Sequence, residues 1–394
     1  METAKVKNKK MMSLAILFIS ALEMGGMGLM PSLAAIQADF PEVPTTVIQT
    51  MANWPGFAML LGCAISTMLA TKVSKKVLCQ IGVAFSASIG LLGFFFNSSI
   101  FELFAWQTVL GLGFGLLMPT SNGIIAEQYA EEERAKLMGI QDLFTNGGGI
   151  YLTYVGGALA AVNWHMNYLA YLIGVIPLVL GCIYLPNDKP TVATNASKEH
   201  FSVAPKTWLY GVLIFVFINT YNVFGNNISF VIEERGIGTA AVSGTAMSMF
   251  LVGGMLGGVL FGPAESKLHD YTICLSFIVI PIGLLMIYFT NSILVVYLAA
   301  IIAGLSIGFA MPLALLGATN CNTVAAATMG CAVVHVAGQL GTVCSPWTYT
   351  PAASLFSDSA SFRYLFGSVV SLVLCVLIAI AITVVNKAIA KKAA

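Results

Sequence analysis

The chain has 394 residues, 58% of them hydrophobic and 9% charged, with 18 Lys and Arg against 17 Asp and Glu and a net charge of +1. A soluble domain carries about 25% charged residues, so a water-soluble globule is excluded, and the near-neutral balance gives no basis for binding nucleic acid. Crossing a hydrocarbon core takes about 20 predominantly apolar residues, and such stretches recur from one end of the sequence to the other.

In chain order, twelve apolar segments are predicted, at 11–36, 46–70, 77–97, 100–125, 137–160, 165–186, 207–232, 239–262, 271–290, 291–318, 324–350 and 363–387. Lipid tolerates no unpaired backbone, and the alternating pattern of barrel strands is absent, so each segment reads as a helix. The fold class is all-α, a polytopic membrane protein. The first segment follows Lys5, Lys7, Lys9 and Lys10 as a signal peptide would, but it runs past Pro31 and carries Glu23, and it is read as a permanent helix.

Glu23 lies about 18 Å along that helix at ~1.5 Å per residue, near the midplane. Central acids are costly in a bilayer, and no Lys or Arg is predicted at that depth, so Glu23 is the first candidate for proton exchange or for meeting a cationic substrate. The second segment offers Asn53 and Trp54, and the loop after it carries the basic cluster Lys72, Lys75 and Lys76. In the fourth segment Gln107 enters from the outside to about 10 Å depth, where its amide is expected to bond Glu23. Asp142 and Asn146 stand one turn apart in the fifth segment, Asp142 nearer the cytoplasm as a gate residue and Asn146 deeper.

Residues 187–206 are the long polar stretch, predicted to be a cytoplasmic linker between an N-terminal six-helix bundle, 1–186, and a C-terminal one, 207–394. The seventh segment then reads FINTYNVFGNNISF, with Asn219, Tyr221, Asn222 and Asn226 in an otherwise apolar helix. Such a stripe either lines a cavity or holds helices together. His335 and Gln339 share a face of the eleventh segment, as a substrate contact and, for His335, a second proton site. The run GGMLGG at 253–258 is read as a packing surface, and the eight cysteines as apolar filler without paired spacing.

Two features join the halves. GLGFGLLMPT at 111–120 aligns with GLSIGFAMPL at 304–313, an offset of 193 from 111 to 304, which marks a parallel repeat. All of the 18 Lys and Arg except Arg235 and Arg363 fall on the side of the termini, so both termini are expected to be cytoplasmic.

The segment WQTVLGLGFGLLMPTSNGIIAEQYAEEERAKLMG (106–139), with Glu127 and Arg134 at its end, and the basic loop LATKVSKKVLCQIG (69–82) resemble the major facilitator superfamily over nearly the whole chain. The resemblance leans to its drug/proton antiporter branch, with degenerate signatures. Gln107 stands where many proton-coupled members hold an Arg, and the fifth segment keeps Gly156 and Gly157 of the antiporter signature without its Pro. What the resemblance implies is a secondary carrier, not an enzyme, with no catalytic residues, cofactor or metal. Lys75, Lys76, Glu127, Arg134 and Asp142 are its expected gating residues.

The expected substrate is a small organic molecule carried with protons through a lipid bilayer, the plasma membrane and in particular a bacterial inner membrane, by a monomer. Two functions are weighed: proton-coupled efflux of amphipathic or cationic compounds, and uptake of a small neutral or polar nutrient by symport or uniport.

Overall fold

A computed structural model describes residues 9–187 and 203–393. Most of the 187–206 linker and the basic residues Lys5, Lys7, Lys189 and Lys198 therefore lie outside the described residues. No strand occurs among the described residues, and the helices are α1 (Lys9–Ser20), α2 (Leu33–Asp39), α3 (Thr45–Leu69), α4 (Lys75–Phe95), α5 (Ile100–Gln128), α6 (Glu131–Ala160), α7 (Val175–Tyr184), α8 (Pro205–Glu234), α9 (Ala240–Leu268), α10 (Thr272–Phe289), α11 (Ile293–Asn320), α12 (Val324–Ser354) and α13 (Ala360–Ala393). The chain is an all-helical membrane protein. Nine helical stretches among the described residues are long and apolar enough to cross a bilayer, and one of them, Ala240–Phe289, holds both α9 and α10. The fifth and eleventh predicted segments, in α6 and α12, are not in that set. The acidic first turn of α6 and the polar side chains along both helices dilute their apolar character.

Helix starts follow local chemistry. Ser74 accepts the Val77 N–H ahead of α4, and Ser99 accepts from Glu102 ahead of α5 while the Glu102 carboxylate takes the Ser98 N–H. Each contact satisfies a donor that the first turn leaves without a partner.

The chain forms two compact units, residues 1–42 with 51–199, and residues 43–50 with 200–394. In the first, Tyr168 and Tyr171 are buried on an eleven-residue 3-10 stretch, Trp164–Gly174, that leads into α7. In the second, an aromatic stack forms the core: Phe224 lies 4.2 Å from Phe250 between ring centroids, Tyr221 lies 4.5 Å from Phe250, and the Tyr364 hydroxyl donates to the Phe224 carbonyl at 2.8 Å.

The first predicted segment is not one helix. α1 stops at Ser20, residues 21–32 pass through turns and two short 3-10 stretches, and α2 resumes at Leu33. Three glycines in the run EMGGMG weaken helix there, and the neighbouring helices hold the opened backbone. Tyr171 donates to the Gly25 carbonyl at 2.6 Å, and Asn167 donates to the Gly28 carbonyl and the Ser32 hydroxyl, each at 2.9 Å. A Cβ on Gly148 of α6 would collide with the Ala21 carbonyl, so this glycine lets α6 lie directly on the break. Irregular backbone at membrane depth survives where protein groups satisfy it in this way.

Candidate functional site

Glu23 sits in the break, three residues past the end of α1, and is half-buried. Its Oε1 accepts from the Ser121 hydroxyl of α5 at 3.2 Å, and the Ser20 hydroxyl is also in hydrogen-bonding reach. The Gln141 amide of α6 ties the surroundings together, donating to Ser20 Oγ at 2.8 Å and to Asn122 Oδ1 at 3.1 Å. Among the described residues no Lys, Arg or His nitrogen comes within 4.0 Å of the carboxyl. The site is therefore a carboxyl in a ring of hydroxyls and amides. Such a ring accommodates either the protonated acid or the carboxylate, because hydroxyls both donate and accept.

The expected Glu23–Gln107 hydrogen bond is corrected. Ser121, which meets Glu23, is 14 positions beyond Gln107 on the continuous α5, about 21 Å away at ~1.5 Å per residue. Depths counted inward from opposite ends misled, because α5 has 29 residues, about 43 Å of helix against a core of about 30 Å. Gln107 is buried at 1% exposure, and its Oε1 has no hydrogen-bond partner among the described residues. Beside it Trp54 donates from its indole to Thr108 at 2.9 Å and packs edge-on to Phe104, while Asn53 is buried. Asp142 and Asn146 are adjoining turns of α6, joined by the Asn146 amide donating to the Asp142 main-chain carbonyl at 2.9 Å.

Four of the five gate candidates make contacts near the start of α4, the α5–α6 junction and the end of α7. Lys75 pairs with Glu127, Lys76 donates to the Cys182 carbonyl at 2.8 Å, and Arg134 caps the end of α5 by donating to the Ala126 carbonyl at 2.6 Å. Lys9 pairs with Glu133 and sits 5.0 Å above the Tyr129 ring, whose hydroxyl meets Ser13 at 2.7 Å. That hydrogen bond from Lys9 holds the Glu133 carboxyl below its ordinary range.

In the second unit three amides of α8 make hydrogen bonds to α12. Asn219 accepts from Thr348 at 2.7 Å and donates to the Gly341 carbonyl at 3.4 Å, Asn222 donates to Thr342 at 3.2 Å, and Asn226 donates to Ser345 at 3.3 Å. Tyr221 points into the aromatic stack. His335 is exposed and Gln339 half-buried on α12, and neither makes a hydrogen bond with a described residue.

Sequence reasoning missed Ser20, Ser121, Asn122 and Gln141, whose one signal was polarity inside apolar helices. It also missed Arg363. At the start of α13 this guanidinium is only 8% exposed and donates to Asn227 Oδ1 of α8 at 3.1 Å.

Comparison with known proteins agrees with this architecture. The chain is 27% identical over 132 residues to the quinolone resistance protein NorA of Staphylococcus aureus, 33% of this chain and 34% of that one. It is 22% identical over 172 residues to a protein TsgA homolog of Buchnera aphidicola, 44% of this chain and 43% of that one. The matches thus span well under half the length of these relatives. Among solved structures the nucleoside transporter NupG superposes with a TM-score of 0.74 at 12% identity, covering 95% of this chain and 99% of that one. A POT family transporter in complex with 5-aminolevulinic acid gives 0.72 at 13% identity, covering 93% and 95%. At such identities these structures speak to fold alone. The Major Facilitator Superfamily profile matches residues 13–346, and this chain belongs to that superfamily.

Proposed function

We propose that the protein is a proton-coupled secondary carrier that exports small amphipathic or cationic organic compounds by alternating access of twelve membrane-crossing helices. One observation carries this reading: Glu23, a partly accessible carboxyl in a broken helix, ringed by Ser20, Ser121 and Gln141 and without a basic partner among the described residues. Discontinuous helices are where carriers of this kind bind ions and substrates. Protonation of Glu23 releases a bound cation, and deprotonation recovers the site. The similarity to NorA, a quinolone resistance protein, supports export. Lys75, Lys76, Glu127, Arg134 and Asp142 serve as the gate at the cytoplasmic end.

The second reading is uptake of a small polar nutrient, favoured by the buried Gln107 carbonyl oxygen without a partner among the described residues, a ready acceptor for a substrate hydroxyl or amine. Flux of a fluorescent lipophilic cation in vesicles under an imposed proton gradient separates the two. Export predicts uphill cation movement that an uncoupler abolishes and Glu23→Gln eliminates. Gradient-independent flux in both proteins sinks proton coupling. Gln107→Leu leaves cation export intact under the first reading and removes nutrient uptake under the second.

A further inference from the structure

A groove of about 170 Å³ opens on the second unit where the first turn of α8 meets α10, α11 and α13. Its walls are apolar: Leu209 and Leu213 from α8, Ile273 from α10, Leu313 from α11, Ile378 and Ile382 from α13. The rim is not. Lys206, in the first turn of α8, and Asp270, in the turn between α9 and α10, line the same end of the groove, and both are exposed. They are not within 4.0 Å of each other, and neither forms an ion pair with another described residue. Opposite charges left apart at the mouth of an apolar slot complement a molecule that carries a cation and an anion at one end and a hydrocarbon chain behind them.

The surroundings identify that molecule. The groove opens at the surface of a membrane-crossing bundle, where its lining residue Leu209 is 52% exposed. Close in the chain to Lys206 and Asp270 stand Trp208 and Tyr271, at 61% and 37% exposure, the kind of aromatic side chain enriched at the headgroup level. The Tyr271 hydroxyl meets Thr383 at 2.9 Å, which ties the rim turn to the α13 wall.

We infer that this groove binds one phospholipid of the phosphatidylethanolamine type, with an acyl chain between α8 and α13, the phosphate at Lys206 and the primary ammonium at Asp270. A choline headgroup has no N–H to give Asp270, and a glycerol headgroup brings no cation to it. Lys206 draws any phosphate alike; the hydrogen bond to Asp270 that choline cannot make is worth about 1 kcal/mol, about fivefold in occupancy.

The test is native mass spectrometry of the full-length protein, purified in mild detergent with an equimolar mixture of phosphatidylethanolamine, phosphatidylcholine and phosphatidylglycerol. Wild type retains the ethanolamine lipid about fivefold over the choline lipid. Asp270→Asn removes that preference while phosphatidylglycerol retention holds, and Lys206→Gln lowers retention of all three lipids, since each brings a phosphate to it. Ala381→Phe, at the exposed lip of the groove, narrows the slot and reduces all three without disturbing the core, which a thermal melt of the same sample verifies. Retention of the three lipids in proportion to supply overturns the inference, as does a headgroup preference that survives both rim variants. A small organic solute found in place of a lipid, and lost in Ala381→Phe, assigns the groove to substrate and likewise overturns it.

Discussion

A methyl group on Gly148 has nowhere to go, because the Ala21 carbonyl occupies the space where a Cβ would stand. Backbone cannot move aside as a flexible side chain does, so Gly148→Ala forces α6 away from the break in the first helix. The expected loss is about 1–3 kcal/mol, read as a lowered midpoint in thermal unfolding of detergent-solubilised protein. Gly139, on the same helix, has nothing within 4 Å of a would-be Cβ. Gly139→Ala is therefore expected to raise stability by about 0.5–1 kcal/mol; equal effects at the two positions would refute the packing argument. The two buried tyrosines make a second contrast. Tyr171 donates to the Gly25 carbonyl, whereas the Tyr168 hydroxyl has no partner among the described residues. Tyr171→Phe strands a carbonyl in the break and costs about 1–3 kcal/mol. Tyr168→Phe removes an unsatisfied group and is neutral or stabilising in the same melt.

At the scale of elements, the amides of α8 show where a sequence pattern stops being informative. Spacing places Asn219, Asn222 and Asn226 near one another on a helix surface, but it does not say which neighbour that surface meets. In the structure it meets α12, and the partners Thr342, Ser345 and Thr348 lie about 120 residues away along the chain. A zipper of this kind predicts modest, separable effects. Asn222→Ala and Asn226→Ala each cost about 0.6 kcal/mol of stability, measured in denaturant melts, with KM for substrate unchanged. A raised KM at unchanged stability would instead put these amides on the substrate. The all-helical fold was legible because apolar runs and lipid leave no alternative to helix. The break at residues 21–32 was not, although Glu23-Met24-Gly25-Gly26 stood in plain view. Glycine weakens a helix only slightly, and what opens this one is the pair of hydrogen bonds from Tyr171 and Asn167, more than a hundred residues on. Glu23 was legible by its charge. Its ring of Ser20, Ser121 and Gln141 was not, because single hydroxyls and amides are common in membrane helices and depth counted from a helix end drifts with the helix's length.

The internal repeat operates at the scale of the whole molecule, and the same contact recurs in each unit taken by itself. In the first, a Cβ on Gly111 would strike the Pro55 carbonyl and one on Gly115 the Met59 carbonyl, so α5 crosses α3 backbone to backbone. In the second, the aligned Gly304 and Gly308 hold α11 against α9 at Phe250 and Gly257. Small residues permit such crossings where no hydrophobic force separates helix from lipid. The aligned motif is thus a packing device copied twice, and the polar equipment around it differs: Glu23 and its hydroxyls in one unit, the α8–α12 zipper and Arg363 in the other. If the copies are equivalent in packing, Gly115→Val and Gly308→Val destabilise alike, each by about 1–3 kcal/mol, in thermal melts of the full-length protein. If they are unequal in chemistry, Glu23→Gln abolishes proton-driven flux while shifting the melt far less than either valine variant. A glycine pair with widely different costs would mean that the repeat survives in sequence but no longer in the crossing it builds.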